Sequence, residues 1–450
     1  METAQQAAQQ AAMAVGLAVV DLAMRGEFAA IEARFAPRLR VALPAGGLRK
    51  AWETEIGVIG AELRRGEPTA EDIAPGLVRV RVPLTGRHGG LTVLMGIDAE
   101  GALQGLRLDG AGGGGSAWAA PAYADPGRFE EREVVLDAGL GPVTGVLTLP
   151  RVGAEAAPSA SAASAPSAAT AGPAPGVVLL SGAGPFDRDG TAGPLKPLKD
   201  LAWGLASRGV ASLRFDKVTG VHADRVAATP GFTLADEYVP HAVAAVRALQ
   251  GAPGVDPARV FVLGHSAGGK VAPRVAAAEP SVAGLVLFAA DAAPMNHAAV
   301  RVFRHIAALT PGLGAEAEAA IAELERQAAR VDSPDLAADT PGAELPLGLS
   351  GAYWLDLRGY DPVATLAALD MPALLLQGGR DYQVTVADDL ALWRAGLDGR
   401  PGVTVSVHER ADHLFFMGDG PATPADYAVP GHVDGGVVAE IAEWITAQRL

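Results

Sequence analysis

The stretch Val260-Phe261-Val262-Leu263-Gly264-His265-Ser266-Ala267-Gly268-Gly269 passes from an apolar, strand-like run into a helix-like one through a Gly-x-Ser-x-Gly turn. A serine at such a turn sits on a sharp, strained backbone that lifts its hydroxyl clear, and its neighbours must be small for the turn to close. Gly264 and Gly268 supply that clearance, which makes Ser266 the candidate nucleophile. The motif alone is a weak signal in a chain with 56 glycines, so its surroundings decide.

Those surroundings supply the remaining parts in a definite order. Upstream, Val177 to Leu180 ends in Ser181-Gly182-Ala183-Gly184-Pro185, a glycine-rich bend where an oxyanion loop would follow a strand. Downstream, Ala373-Leu374-Leu375-Leu376 runs into Gln377-Gly378-Gly379-Arg380-Asp381 and delivers a carboxylate past a strand end. Val403 to Val407 alternates as a strand does and leads to Ala411-Asp412-His413. The order Ser, Asp, His is that of an α/β-hydrolase and differs from the chymotrypsin and subtilisin orders.

Among nine histidines, His413 is the candidate base, because it follows the last sheet strand and comes after the acid. His408 lies within that strand, His432 precedes the final helix and is expected to cap or pack, and His265 is expected to pack or hydrogen-bond within the elbow. Asp381 is the candidate acid that orients the imidazole. Asp412 adjoins His413, and adjacent residues rarely aim their side chains at each other, so it is expected to be structural or solvated. Asp361 and Asp370 read as turn or cap residues. The backbone NH groups of Ala183 and Ala267 are the candidate oxyanion donors, the latter at a helix N-terminus.

A phosphate loop at Ser181 to Gly190 would need a GxxxxGK[ST] pattern, and Asp187-Arg188-Asp189 stands there instead. No His-Glu-x-x-His occurs, nor a Rossmann glycine fingerprint followed by a ribose-binding acid. Neither a metal nor another cofactor is expected.

Around the elbow, apolar runs at Val177–Leu180, Ala211–Phe215, Val260–Leu263, Leu285–Phe288, Ala373–Gln377 and Val403–Val407 alternate with helical segments, including Leu234–Gln250 and Val437–Gln448. Such alternation predicts an α/β fold with a mostly parallel sheet covered on both faces. Glu131–Leu136 and Val143–Leu149 read as a hairpin that opens the sheet. The long connection before Ala373 carries Ile321, Leu324, Ala328 and Val331 on one helical face and reads as a helical cap over about residues 292–368.

Residues 1–115 read as a separate small α+β domain. Gln5–Met24, Glu27–Phe35 and Leu48–Ile59 are helical, and Val78–Val82, Leu91–Ile97 and Leu103–Leu108 are strands, the last two joined as a hairpin at Ala99-Glu100-Gly101. His88 falls in a glycine-rich turn and is expected to be a turn residue. Gly110 to Gly127 has linker composition, so the hydrolase domain is placed at 128–450. Within it, the Ala/Ser/Pro tract at about 154–175 is expected to be disordered.

Apolar residues make up 49% of the 450 and charged ones 19%, enough for a sizeable core. The net charge is -15, and residues 1–125 carry 12 Lys and Arg against 14 Asp and Glu, so the acidity lies mainly in the second domain. That balance argues against nucleic acid or an anionic membrane as partner. No run of 18 apolar residues free of charge suggests a membrane span. Ala11 to Val20 is apolar but is preceded by Glu2 and glutamines, without the basic start of a secretion signal, so a cytoplasmic protein is expected. The apolar positions Val15, Val19 and Leu22 require burial, inside the first domain or in a homo-oligomer. Cysteine is absent, which removes disulfides, thiolate metal sites and a cysteine nucleophile.

Taken together, Ser181-Gly182-Ala183-Gly184-Pro185-Phe186-Asp187-Arg188-Asp189-Gly190, Leu213-Arg214-Phe215-Asp216-Lys217, Gly264-His265-Ser266-Ala267-Gly268-Gly269 and Gln377-Gly378-Gly379-Arg380-Asp381-Tyr382-Gln383-Val384 resemble bacterial α/β-hydrolase esterases related to the serine aminopeptidase and dienelactone hydrolase groups. The resemblance spans about residues 128–450. Residues 10–110 resemble the small domain of unknown function that precedes such esterases in some bacteria. It implies a carboxylesterase acting on short or medium acyl esters of small molecules, with Ser266, Asp381 and His413 as triad. Two departures stand out: members often carry His-Gly where this chain has Ser181-Gly182, and dienelactone hydrolases proper use cysteine as nucleophile.

Two further readings compete. A peptidase or amidase would use the same triad and recognise a substrate amine through cap acids such as Glu316, Glu318, Glu323 and Glu325. A non-catalytic binding protein would leave the apparent triad idle.

Overall fold

Apolar runs of four or five residues, most of them without alternation, suit strands buried on both faces, and they become the centre of the molecule. The computed structural model describes residues 2–36, 39–40, 43, 45–60, 62–74, 76–111, 118–151, 172–309 and 314–448. The tract expected to be disordered lies, for 154–171, outside the described residues.

The first unit places helices α1 (Glu2–Met24), α2 (Phe28–Glu32) and α3 (Ala45–Ile59) against an antiparallel sheet. Its strands are β1 (Arg64–Arg65), β2 (Thr69–Ala74), β3 (Leu77–Thr85), β4 (Gly90–Asp98) and β5 (Leu103–Ala111). The order is β1-β3-β4-β5, with β2 also paired to β3. Alternate residues of β3 and β4 point inward, and Val80, Val82, Val93, Met95 and Ile97 form a core with Ile31 and Trp52. Val19 and Leu22 are buried in this core and Val15 packs against it, so the apolar side of α1 is filled within the unit. Strand β2 has no counterpart in the sequence reading. Its segment Thr-Ala-Glu-Asp-Ile-Ala lacks strand propensity, and pairing with β3 in register Thr69 to Arg81 holds it.

The second unit is built on strands β6 (Phe129–Ala138), β7 (Gly141–Pro150), β8 (Ala174–Leu180), β9 (Ala211–Phe215), β10 (Val255–His265), β11 (Leu285–Phe288), β12 (Ala373–Gly378) and β13 (Val403–His408). Their order is β13-β12-β11-β10-β8-β9-β7-β6. From β9 to β13 every neighbouring pair is parallel, while the β6–β7 hairpin joins antiparallel at the β9 edge. Between them run α4 (Pro197–Ala206), the short α5 (Val218–Val221) and α6 (Ala223–Ala227), α7 (Leu234–Gln250) and α8 (Ala267–Ala278). The series closes with α13 (Ala391–Leu397) and α14 (Gly435–Ala447). One core packs α7 and α8 on one face of the sheet, and the other packs α4 and α14 on the opposite face.

Between β11 and β12 lie α9 (Met295–Leu309), α10 (Gly314–Asp332), α11 (Gly351–Gly359) and α12 (Pro362–Ala368), the segment expected as a cap. Ile321, Leu324, Ala328 and Val331 are buried. Asp361 caps α12, its carboxylate accepting from the NH of Ala364 at 2.9 Å. Asp356 on α11 receives both hydrogen bonds of Arg274 on α8, at 2.8 and 2.9 Å, which ties this segment to the helix that follows the elbow.

Residues 118–127 have linker composition yet dock on the second unit. The indole NH of Trp118 donates to buried Asp200 at 2.7 Å, and its ring meets Trp203 edge-on at 4.9 Å. Asp125 donates its backbone NH to Ser207 Oγ at 2.8 Å. Asp200 also holds His432 Nδ1, at 3.1 Å, so this histidine belongs to a buried junction and not to a helix cap.

Candidate active site

Parallel strands end together at one edge of the sheet, and loops leaving that edge converge regardless of their separation in sequence. Ser266 stands there between β10 and α8 with φ 56° and ψ -123°, a left-handed backbone that a side-chain-bearing residue adopts only under constraint. The constraint is local. A Cβ on Gly264 would lie 2.2 Å from the carbonyl oxygen of Gly268, so the strand and helix meet too closely for any side chain. The Ser266 NH donates to Phe288 O at 3.0 Å, and its carbonyl receives the NH groups of Gly269 and Lys270.

The oxyanion loop lies against this elbow. A Cβ on Gly182 would sit 3.1 Å from Ser266 Cβ and 3.6 Å from its Oγ. Among the described residues, neither Ala183 nor Ala267 spends its backbone NH on an internal hydrogen bond. The charges that follow are consumed internally: Asp187 accepts from the NH groups of Asp189 and Thr191, and Asp189 binds Arg214 and Lys196. A phosphate cradle is not formed there.

His413 Nδ1–H donates to Asp381 Oδ2 at 2.7 Å, with both side chains almost fully buried. The acid is itself held in place. Asp381 Oδ1 accepts from the NH groups of Gln383 and Val384 at 2.8 and 2.9 Å, and Gln377 Nε2 donates to Oδ2 at 3.3 Å. With Nδ1 protonated toward the carboxylate, Nε2 is left as the acceptor. Burial pulls the His413 pKa down, but the charge and hydrogen bond of Asp381, aided by Asp291 and Asp412, carry it above the ordinary histidine value. No hydrogen bond joins Ser266 Oγ to His413 among the described residues, a contact that catalytic pairs commonly complete only with substrate in place.

Neighbours expected to be bystanders have defined tasks. His265 donates Nε2–H to the carbonyl oxygen of His413 at 3.0 Å and packs on its ring at 4.6 Å, so it reaches outside the elbow to which sequence reasoning confined it. Burial, then the charge of His413, hold its pKa at about 3, so it stays neutral. Asp412 is buried and accepts from the NH groups of Leu414 and Phe416 at 2.9 and 3.0 Å, shaping the turn that presents His413. His408 on β13 faces Glu440 of α14 at 2.9 Å. His88 remains in the turn between β3 and β4, its NH bonded to Ile59 O. Among the described residues no group of three or more His, Cys, Asp or Glu could hold a metal.

One carboxylate was not singled out from sequence. Asp291 follows β11, and its NH approaches Ser266 O at 3.5 Å. Burial pushes its pKa up to about 6, against the pull of Lys270. Its negative charge favours the imidazolium form of His413, whereas a base must be neutral to accept a proton. Asp291→Asn is therefore expected to move the acid limb of the kcat/KM profile to lower pH. An unchanged limb in a pH-rate series would show that this charge does not reach the imidazole.

The chain has relatives among known proteins. The chain is 35% identical over 359 residues to esterase EstD of Thermotoga maritima, covering 80% of this chain and 77% of that protein. Est1E from Butyrivibrio proteoclasticus superposes with a TM-score of 0.42 at 15% identity, covering 70% of this chain and 99% of the other. The Pyrobaculum calidifontis esterase gives 0.42 at 16%, covering 71% and 85%. The strand order, and not these superpositions, carries the fold. No protein-family profile matches the chain.

Proposed function

The chain belongs to the α/β-hydrolase esterases, and from that premise we propose that it hydrolyses short to medium acyl esters of small molecules through Ser266, His413 and Asp381. What carries the reading is the 2.7 Å bond from His413 to a doubly anchored Asp381, at the same sheet edge as a strained Ser266. In acylation Ser266 Oγ attacks the ester carbonyl carbon while its proton passes to His413 Nε2. The carbonyl π pair moves to oxygen, where the NH groups of Ala183 and Ala267 receive it. Collapse expels the alcohol, which takes the proton from His413, and leaves Ser266 acylated. Water then repeats the sequence, giving its proton to His413 and releasing the carboxylic acid.

The ester reading is favoured over the amide one by the state of the cap acids. Glu323 pairs with Arg326 at 2.6 Å and Glu325 with Arg304, so neither is held ready for a substrate ammonium group. The side chain of Glu316 lies outside the described residues. A fluorophosphonate probe is expected to label Ser266, and matched p-nitrophenyl ester and aminoacyl-anilide substrates to show a higher kcat/KM for the ester. Equal or faster anilide turnover would overturn the substrate class.

A further inference from the structure

Behind the oxyanion loop lies a buried polar cluster that the triad does not explain. Lys217, two residues beyond β9, is 3% exposed and spends all three of its ammonium protons. They go to the carbonyl oxygen of Gly182 at 2.9 Å, to Tyr238 Oη at 2.8 Å and to Glu237 Oε1 at 2.6 Å. The Tyr238 hydroxyl, on α7, donates to the same Gly182 oxygen at 2.8 Å. Glu237 is completed by Thr219 and by the hydroxyl of Tyr353 on α11, at 3.2 and 2.6 Å.

Two donors thus converge on one carbonyl, that of the peptide whose nitrogen belongs to Ala183. A buried ion pair gives little net stability over an apolar pair of the same shape, so stability alone does not account for a lysine here. The geometry of the peptide supplies a reason. The Gly182–Ala183 peptide is trans, so the Gly182 C=O and the Ala183 N–H point in opposite directions from one rigid plane. Gripping the oxygen on the buried side fixes the rotation of that plane and aims the N–H to the other side. Gly182 also has no Cβ to hold its plane, and it lies against Ser266. A cation on the carbonyl further polarises the peptide and strengthens its N–H as a donor.

We propose that Lys217 and Tyr238 are positioning residues for the oxyanion hole, pinning the Gly182 carbonyl so that the Ala183 NH is preset for the tetrahedral intermediate. The inference rests on the esterase reading above. Its consequence is specific: loss of the grip weakens binding of the transition state and leaves ground-state binding alone, so kcat falls and KM does not.

The experiment uses the full chain with Tyr238→Phe, which removes one hydroxyl and keeps the ring, and Lys217→Met as the stronger variant. A trifluoromethyl ketone ester mimic reports the hole directly. Ser266 Oγ adds to its carbonyl carbon, the π pair becomes the oxyanion, and the serine proton goes to His413. For Tyr238→Phe the expected result is a kcat about tenfold lower, KM within about twofold, and ketone affinity reduced in proportion to kcat/KM. A folded Tyr238→Phe, checked by circular dichroism, with unchanged kcat and ketone affinity overturns the inference while Ser266 labelling keeps the triad. A rise in KM alone overturns it too. Failure of the unmutated chain to take up fluorophosphonate at Ser266 overturns the esterase mechanism and this inference with it.

Discussion

Ser266→Ala is expected to lower kcat for ester hydrolysis by on the order of 10³ or more while leaving the fold and melting temperature close to those of the parent. The chemical part follows from the role proposed for Oγ: without it there is no acyl-enzyme, and the oxyanion donors alone are left to act on water. The structural part follows from what the hydroxyl does not do. Ser266 Oγ makes no hydrogen bond among the described residues, and alanine meets the same left-handed backbone constraint at φ 56° that serine does. Packing of the elbow rests on the glycines and on main-chain bonds from Phe288, Gly269 and Lys270, which the substitution preserves. Turnover of a p-nitrophenyl ester and a thermal melt check both halves, and retained turnover with unchanged kinetics would remove Ser266 as the nucleophile.

The parts of this fold that sequence made legible are those set by local chemistry. A strand buried on both faces is mostly apolar, so β8, β10, β11 and β12 stand out as runs of Val, Leu and Phe. A nucleophile elbow must be glycine-flanked, so Gly264 and Gly268 mark it. What escaped is set by the sheet order. Asp291 has no distinctive spacing, and only the pairing of β10 with β11 sets it beside Ser266. Lys217 and Tyr238 lie 35 and 56 residues from Gly182, and nothing local to either announces a shared carbonyl. Strand β2 is polar and exists by courtesy of β3. At residues 118–127 composition misleads, because alanine, proline and glycine make up seven of the ten residues while Trp118 and Tyr123 make the contacts.

The acid offers the sharpest contrast between neighbours in sequence and neighbours in space. Asp381→Asn is expected to reduce kcat by about 10³ to 10⁴ with little change in KM, whereas Asp412→Asn should cost less than about tenfold. In the first case the two backbone NH groups of Gln383 and Val384 already fix where an amide oxygen must go, on the Oδ1 side. The amide NH2 then faces His413 Nδ1, which must accept in place of donating. The imidazole proton moves to Nε2, the atom that has to take the proton from Ser266, and the base is disabled by its tautomer with its position unchanged. Gln377 Nε2, which donates to Oδ2, meets another donor there and adds to the penalty. In the second case the carboxylate accepts two backbone NH groups through a single oxygen, Oδ1, and an amide oxygen can take the same place. Burial pushes the pKa of Asp412 up, against the pull of its two backbone NH groups, and those bonds through Oδ1 survive the loss of its charge. Steady-state kinetics of both variants decide the matter, and a larger loss from Asp412→Asn than from Asp381→Asn would reverse the assignment of the acid.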